Sequence, residues 1–295
     1  MSEDEQAAVR ARARSFGTVA ETYDRARPSY PADAVTWLVG AAPSRVVELG
    51  AGTGKLTELL LAAGHQVIAT DPSPEMLALL RRRAPGAQAA VGTAEQIPVP
   101  SRSADVVVCA ESFHWFEHDV ALPEIARVLR PGGVLALVWN ARDEGIPWVR
   151  RLGTVIGNQE NNTGLEQPAA SSEHFGFVDS HDFRFWQSLR RDELADLVRS
   201  RSNVAVMSED ERAAVLERVG SLYDDYGRGP DGMQLPYVTK CFRTVVQHQS
   251  QPPVVLSRVA ADQPAAGDPE ATQAIQRTDV PAPPEDPGTL LIDFR

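Results

Sequence analysis

Residues 46–57 read VVELGAGTGKLT, an apolar strand that runs straight into three glycines at alternate positions, Gly50, Gly52 and Gly54. A glycine-rich turn at the end of a buried strand is where α/β proteins bring backbone close to a nucleotide-like cofactor. The other residues of the turn decide which cofactor. A phosphate-binding loop needs glycine five residues before the glycine that precedes the lysine, and Ser or Thr after the lysine. Leu49 and Leu56 stand at those positions. A dinucleotide fingerprint needs glycine or alanine three residues after its second glycine, and that residue is Lys55. What is left is acidic-x-Gly-x-Gly-x-Gly beginning at Glu48; a dinucleotide site with a degenerate third glycine is the alternative.

Outward from this turn, strand and helix signals alternate from about residue 45 to 140, the pattern of a parallel sheet covered on both faces. Strands are expected at 45–49, 66–70, 88–91, 104–110 and 134–139. Helices are expected from near Lys55 to Gly64, through EMLALLRRRA after Ser73-Pro74, and over 118–129. Ser73 is suited to cap a helix whose first residue is proline, and Arg130-Pro131-Gly132-Gly133 reads as a helix stop. The second half is less regular: a helix near Pro147–Ile156, a polar stretch over 158–173, a strand at 183–189, and two amphipathic helices, RDELADLVRS and SEDERAAVLERV, the second with Ser208 as its cap. A final strand at 235–246 is expected to pair antiparallel with 183–189 at the sheet edge. The predicted class is α/β and Rossmann-like, with a mostly parallel seven-stranded sheet, an antiparallel edge strand and helices on both faces.

From about residue 249 the character changes to proline, alanine and acid without apolar period. Seven acids against three arginines give 249–295 a net charge of −4 (3 − 7). Such a segment buries too little apolar surface to offset its ordering entropy, so a disordered tail is expected, with the apolar cluster Leu290, Leu291, Ile292 and Phe294 able to dock. The expected organisation is one domain over 1–248, comprising a leader or lid (1–40), a core (41–140) and insertions that shape an acceptor site (141–235), followed by the tail 249–295.

The 295 residues suffice for one sizeable α/β domain with additions. A net charge of −11 argues against a nucleic-acid partner. No apolar run reaches the length of a membrane span, and the charged N-terminus lacks the apolar core of a secretory signal, so a cytoplasmic setting is expected. Cys109 and Cys241 form no CxxC pair, and no cluster of His and acid marks a metal site.

In order and spacing, FGTVAETYDRARPSYP, VVELGAGTGKLT, ATDPSPEML, GTAEQIPVPSRSADVVVCAESFHWF and EIARVLRPGGVLALVWN resemble the class I S-adenosylmethionine (SAM) dependent methyltransferases, in particular the small-molecule enzymes related to the trans-aconitate and cantharidin-resistance methyltransferases. The likeness spans roughly residues 15–247. It implies the class I methyltransferase fold, with SAM as cofactor and S-adenosylhomocysteine (SAH) as product. It further implies that backbone at Gly50 and Gly52, in the turn closed by Gly54, approaches the methionine half, with Glu48 orienting the amino-acid end. Asp71, 21 positions after Gly50, would hold the ribose, Met76 would pack on the adenine, and Thr93, Ala94 and Glu95 would read its edge. SAM carries positive charge and no phosphate, so strand ends bearing Glu48, Asp71, Glu95 and Glu111 suit it and would repel a pyrophosphate.

The resemblance implies methyl transfer to a small-molecule acceptor, at the oxygen of a carboxylate or hydroxyl, with carbon methylation of the quinone-pathway type and a catalytically inactive SAM-binding protein as alternatives. SAM is already activated, so the protein has chiefly to align acceptor and methyl and exclude water. A base is needed for a hydroxyl or carbon acceptor and not for a carboxylate. His114, in SFHWF past the fourth strand, is the candidate base or acceptor-positioning residue; the other reading is that it packs beside the cofactor and moves no proton. Tyr23 and Tyr30 flank Arg27-Pro28, and Tyr23 is expected over the sulfonium in a closing lid, or else as one face of a docking helix with Phe16. Trp148, Phe175, Phe177 and Trp186 are candidates for an apolar acceptor wall or for core, and Cys109 is expected to be inert core. The oligomeric state has no signal in the sequence.

Overall fold

In β1 (Arg45–Leu49) alternate side chains enter different cores: Val46 joins one hydrophobic cluster, Val47 and Leu49 another. A strand buried on both faces needs helices on both faces, and these surround it in the computed structural model, which describes residues 27–157, 164, 166–227, 229, 231–248, 292 and 294. The expectations for Tyr23, the rest of the leader before Arg27, and most of the tail lie outside the described residues.

The sheet has seven strands in the order β3-β2-β1-β4-β5-β7-β6, with β2 at Gln66–Asp71, β3 at Gln88–Val91, β4 at Ala104–Ala110, β5 at Leu129–Arg142, β6 at Asp179–Leu189 and β7 at Met233–Val245. β1 to β5 run parallel. β7 runs antiparallel to both β5 and β6 and is wedged between them, so the outermost strand is β6. Strand order reverses beside β1, where β2 lies on one side and β4 on the other. The carboxyl ends of β1 and β4 therefore flank the crevice in which open α/β sheets bind ligands.

Helices α1 (Ala32–Val39), α2 (Lys55–Ala62) and α3 (Pro74–Arg83) pack on the face that carries Val46, Val106 and Val138. Helix α4 (His118–Val128) covers the other face, over Val47, Val107, Leu137 and Trp139. Ile292 and Phe294 join that second core, and the Ile292 amide donates to the Pro98 carbonyl at 2.7 Å. Between β5 and β7 the chain builds a cap from α5 (Pro147–Ile156), the short α6 (Gln167–Ala170), α7 (Arg191–Arg199), the short α8 (Ser202–Ala205) and α9 (Glu209–Tyr226). A third core joins α5, α7 and α9 to the near ends of β6 and β7.

Several boundaries differ from expectation, among them the end of β5 at Arg142 and the start of β7 at Met233, and three are instructive. The helix expected over 118–129 stops at Val128, and β5 starts at Leu129, which pairs with Ala104. Pro131 disfavours helical backbone at the residue before it, and a register shift between Ala104 and Val106 absorbs the Pro-Gly-Gly. β6 starts at Asp179 rather than 183, because its polar first residues sit on a solvated edge and Asp179 ion-pairs with Arg243 of β7 at 3.0 Å. α9 runs on to Tyr226; at its start Ser208 accepts from the Glu211 amide and completes a capping box, as its position suggested.

Candidate functional site

All three glycines after β1 have positive φ: Gly50 at 67°, Gly52 at 56° and Gly54 at 83°. Their surroundings differ. A Cβ on Gly50 would lie 2.6 Å from the Ser112 Cβ, and one on Gly54 2.8 Å from the Leu80 Cγ, so those two allow β4 and α3 to pack closely. A Cβ on Gly52 would meet nothing within 4 Å. The middle of the turn is the part that leaves backbone open to a ligand.

Two acids brace this turn from below. Glu48 is 1% exposed and its Oε2 accepts from the Thr57 hydroxyl at 2.6 Å. Burial pushes its pKa up to about 8, the Thr57 bond opposing and the Asp71 charge adding. Asp71 accepts the Gly52 amide on Oδ2 and the Ser73 amide on Oδ1, both at 2.9 Å. Burial raises its pKa against those two hydrogen bonds. Met76 is buried in the first turn of α3, its amide donating to the Ser73 hydroxyl at 3.2 Å. The Gly92 amide donates to the Asp71 carbonyl at 3.3 Å, which holds Thr93, Ala94 and Glu95 beside the end of β2. Thr93 is exposed, Ala94 is buried, and the Glu95 carboxylate accepts the Glu117 amide at the start of α4 at 2.9 Å.

Directly after β4 comes Glu111, which is held at φ 57°, a left-handed conformation unusual for a residue with a side chain. Its Oε1 accepts the Asn140 amide at 2.6 Å. Asn140 in turn accepts from the Thr239 hydroxyl at 2.7 Å and donates its Nδ2 to the Ser29 carbonyl at 3.1 Å. The residue after β4, the end of β5, the middle of β7 and the described end of the leader are thus joined through the buried Asn140.

These groups surround a cavity at the carboxyl ends of β1, β4 and β5. Glu48, Gly50, Gly52 and Glu111 line it together with Arg27, Arg142, Arg201 and Tyr237. Arg142 is 5% exposed, with Nη2 at 3.1 Å from the Glu144 carboxylate. Burial, then the neighbouring Arg142 and Arg27, lower the pKa of Arg201 to about 10. The buried Tyr237 hydroxyl is pushed up to about 12 by burial, the arginines opposing. Burial likewise raises Glu111, with Arg27 the largest opposing influence.

The structure thus brings Glu48, Gly50, Gly52 and Glu111 to the cavity and sets Gly54, Asp71, Met76 and residues 93–95 behind or beside its turn. His114 sits in the 3-10 turn Phe113–Trp115, its ring 4.6 Å from that of Trp115, and is not part of the cavity lining. None of the four aromatic candidates lines it either. Trp148 stacks on Tyr226 and Phe175 is buried in the α4-side core, while Phe177 and Trp186 are 88% and 62% exposed. Cys109 is fully buried. Sequence reasoning missed Arg27, Asn140, Arg142, Arg201 and Tyr237 as site residues. The available signal was the polar Asn140 and Arg142 directly after VLALVW, since a strand end that turns polar points out of the core.

Residues 47–137 match the family described as a methyltransferase domain. An uncharacterized methyltransferase of Mycobacterium tuberculosis is 44% identical over 234 residues, which cover 79% of this chain and 96% of that protein. The trans-aconitate 2-methyltransferase of Methylobacterium nodulans is 41% identical over 165 residues, 54% of this chain and 61% of the relative. Among solved structures, a candidate type II methyltransferase from Anaeromyxobacter dehalogenans superposes with a TM-score of 0.55 at 23% identity, over 74% of this chain and 97% of that one.

Proposed function

Because the chain belongs to the class I SAM-dependent methyltransferases, we propose that it methylates oxygen on a small-molecule acceptor, a carboxylate in the first place and a hydroxyl in the second. The observation that carries this reading is the polar character of the cavity lining beyond the glycine turn: Glu111, Asn140, Arg142, Arg201 and Tyr237. An apolar quinone-type acceptor would leave the buried Nε atoms of Arg142 and Arg201 without partners, at a cost of about 1–3 kcal/mol for each. The name of the Methylobacterium relative, a trans-aconitate methyltransferase, supports the same class.

The residues present fit SAM. Gly52 offers open backbone, and the acids nearby suit a cation that lacks phosphate. In this reading Gly50, Gly52 and Glu48 hold the methionine half, Asp71 the ribose, Met76 the adenine face, and Thr93, Ala94 and Glu95 its edge. Glu111 supplies negative charge on the sulfonium side, and Tyr23 closes over the cofactor from the leader. Bound SAM supplies a methyl group that leaves sulfur with no electrons as a lone pair of the acceptor oxygen takes it, and the C–S pair stays on the neutral thioether. With a carboxylate acceptor no proton moves, and His114 then serves as packing or positioning; with a hydroxyl acceptor His114 is the candidate base.

The test is incubation of the full chain with methyl-labelled SAM and a panel of carboxylates, phenols and quinones. SAH release together with label that alkali strips as methanol supports ester formation. Alkali-stable label on an ether oxygen assigns a hydroxyl acceptor, and label on carbon the quinone-type reaction. SAM binding without transfer to any acceptor would leave the inactive binding protein. Among the described residues, no helix is long and apolar enough to cross a membrane.

A further inference from the structure

Asn140, near the end of β5, stands opposite Thr239 in the β5–β7 ladder and reaches the leader through its side chain. The donor roles fix how this amide is turned. A carbonyl only accepts, so the atom facing Ser29 at 3.1 Å is Nδ2, and Oδ1 is left for Thr239. The Thr239 hydroxyl therefore donates, at 2.7 Å, and keeps the amide from turning over. Both residues are buried, Thr239 completely. Ser29 is exposed, so water is an alternative partner for its carbonyl; a buried, oriented amide aimed at that carbonyl fixes the course of the chain. What it fixes is the edge of the cavity. Arg27, Pro28 and Tyr30, on either side of Ser29, line the cavity together with Gly50 and Gly52. Burial raises the Glu111 pKa and Arg27 is the largest influence opposing it, while the same carboxylate takes the Asn140 backbone amide. The helix that follows is anchored separately: Arg243 of β7 donates to the Trp37 carbonyl at 3.1 Å and lies 4.3 Å from the centre of the Trp37 ring. Loss of the Asn140 bond would therefore release residues 27–30 and leave α1 seated.

We propose that Asn140, held in one orientation by Thr239, is a latch that keeps residues 27–30 against the glycine-turn cavity, and that Thr239 is a positioning residue for the cofactor. This rests on the methyltransferase reading and adds to it the pair of residues that governs cofactor exchange. With the latch made, the leader closes one side of the cavity and keeps water from it. Cofactor enters and leaves when the bond to Ser29 opens, so the latch acts on residence time. Thr239 is not among the lining residues, and its influence on a ligand passes through Asn140. A strand late in the chain thus sets how firmly the leader is held, through a side-chain relay that spans 111 positions at its second step.

The test is the rate of SAH dissociation from the full chain, followed by stopped-flow displacement in the parent, Thr239→Val, Thr239→Ser and Thr244→Val. Thr244 is buried on the same strand and donates its hydroxyl to the Gly176 carbonyl at 3.0 Å, so its valine variant controls for loss of a buried threonine hydroxyl. Thr239→Val should speed dissociation by about tenfold, the scale of one lost hydrogen bond. Thr239→Ser keeps the donor and should stay near the parent, as should Thr244→Val whatever its melting temperature. A second readout needs no ligand. The NMR signal of the Asn140 carboxamide, identified by its loss in Asn140→Asp, should exchange its protons with water faster in Thr239→Val than in the parent. The proposal is overturned if Thr239→Val leaves SAH dissociation or the carboxamide exchange unchanged, or if Thr239→Ser behaves as the valine variant does. It is also overturned if Thr244→Val speeds dissociation as much, which would make both threonines general supports of the sheet. Failure of the parent to bind SAH would instead remove the methyltransferase reading, and the carboxamide exchange alone would then decide whether Thr239 holds the latch.

Discussion

The amide of Gly52 donates to the Asp71 carboxylate at 2.9 Å, so the turn after β1 and the end of β2 are held as one piece. The other Asp71 oxygen takes the Ser73 amide, also at 2.9 Å, so the same side chain fixes the start of α3. A residue expected only to hold a ribose is therefore also the clamp that shapes the turn. Asp71→Ala should lower SAH affinity by about 10- to 100-fold, as for loss of about 1–3 kcal/mol of charged hydrogen bonding, and should lower the melting temperature even without ligand. Asp71→Asn keeps one acceptor oxygen and should fall between. Calorimetry and thermal melts on the two variants check both effects.

The glycines of the turn should respond to alanine in different ways. At Gly50 a Cβ meets Ser112 at 2.6 Å, and at Gly54 it meets Leu80 at 2.8 Å, in addition to the left-handed backbone each requires. At Gly52 the space is open, and only the backbone cost, about 1–2 kcal/mol, applies. Gly50→Ala and Gly54→Ala should therefore lose more stability than Gly52→Ala. Gly52→Ala should lose SAH binding out of proportion to its smaller melting shift if, as proposed, the cofactor occupies the open space its Cβ would enter.

Much of this site could be read from sequence because it is local. Strands β1, β3 and β4 fall where expected, since each is a short apolar run closed by glycine, proline or acid. Glu48, Gly50, Gly52 and Gly54 lie within seven residues, and Asp71 ends the next strand. Apart from the polar strand end at Asn140 and Arg142, the rest of the lining was not legible. Arg27, Arg142 and Arg201 come from the leader, a strand end and a loop of the cap, and no periodicity links residues so far apart. Arginine in a helical cap reads as a solvated residue unless the fold turns it inward, and Arg201 precedes a helix of only four residues. The start of β6 was hidden for a related reason: Asp179–Asp182 are polar because the edge is wet, and ladder bonds to β7 rather than side-chain pattern make them a strand.

Glu48 should make both stability and binding depend on pH. In the folded chain its pKa is about 8 against an ordinary value of 4.5, so the folded state holds a proton that the unfolded chain has released. Its contribution is fully present below about pH 4.5 and is lost as pH rises towards 8. Glu48→Gln cannot ionise, so its melting temperature relative to the parent should climb between pH 5 and pH 8.5. If the ammonium of the cofactor sits beside Glu48, it favours the carboxylate. Binding of SAH between pH 6 and 7 should then release roughly one proton in the parent and none in the Gln variant. Calorimetry in buffers of different ionisation enthalpy measures that proton.

His114 offers a test of acceptor class that is independent of binding. It lies in the turn after β4 against Trp115 and outside the cavity lining. With a carboxylate acceptor, His114→Ala should change kcat by less than about threefold, since no base is required. A fall of about 100-fold or more that is largest at high pH and shrinks at low pH, where the parent's own activity drops, would be the mark of general-base catalysis and would move the acceptor to the hydroxyl class.

The end of the chain bears on stability rather than on chemistry. Ile292 and Phe294 pack against the core beneath α4, the Ile292 amide donates to the Pro98 carbonyl at 2.7 Å, and the Arg45 guanidinium lies 5.9 Å from the centre of the Phe294 ring. This is the face of the sheet away from α1, α2 and α3, and neither residue belongs to the cavity lining. Half-burying two such side chains stabilises the domain by about 1–3 kcal/mol, and closing the intervening segment of roughly 40 residues offsets part of that. A chain truncated after Gln249 should therefore bind SAH as the full chain does and melt a few degrees lower. Ile292→Asp with Phe294→Asp in the full-length protein should reproduce the same shift, because only the docked end contributes. If truncation lowers the melting temperature and the double substitution does not, the stabilising contact lies elsewhere in 249–291. If either change abolishes SAH binding, the tail belongs to the cofactor domain and the boundary at 248 is misplaced.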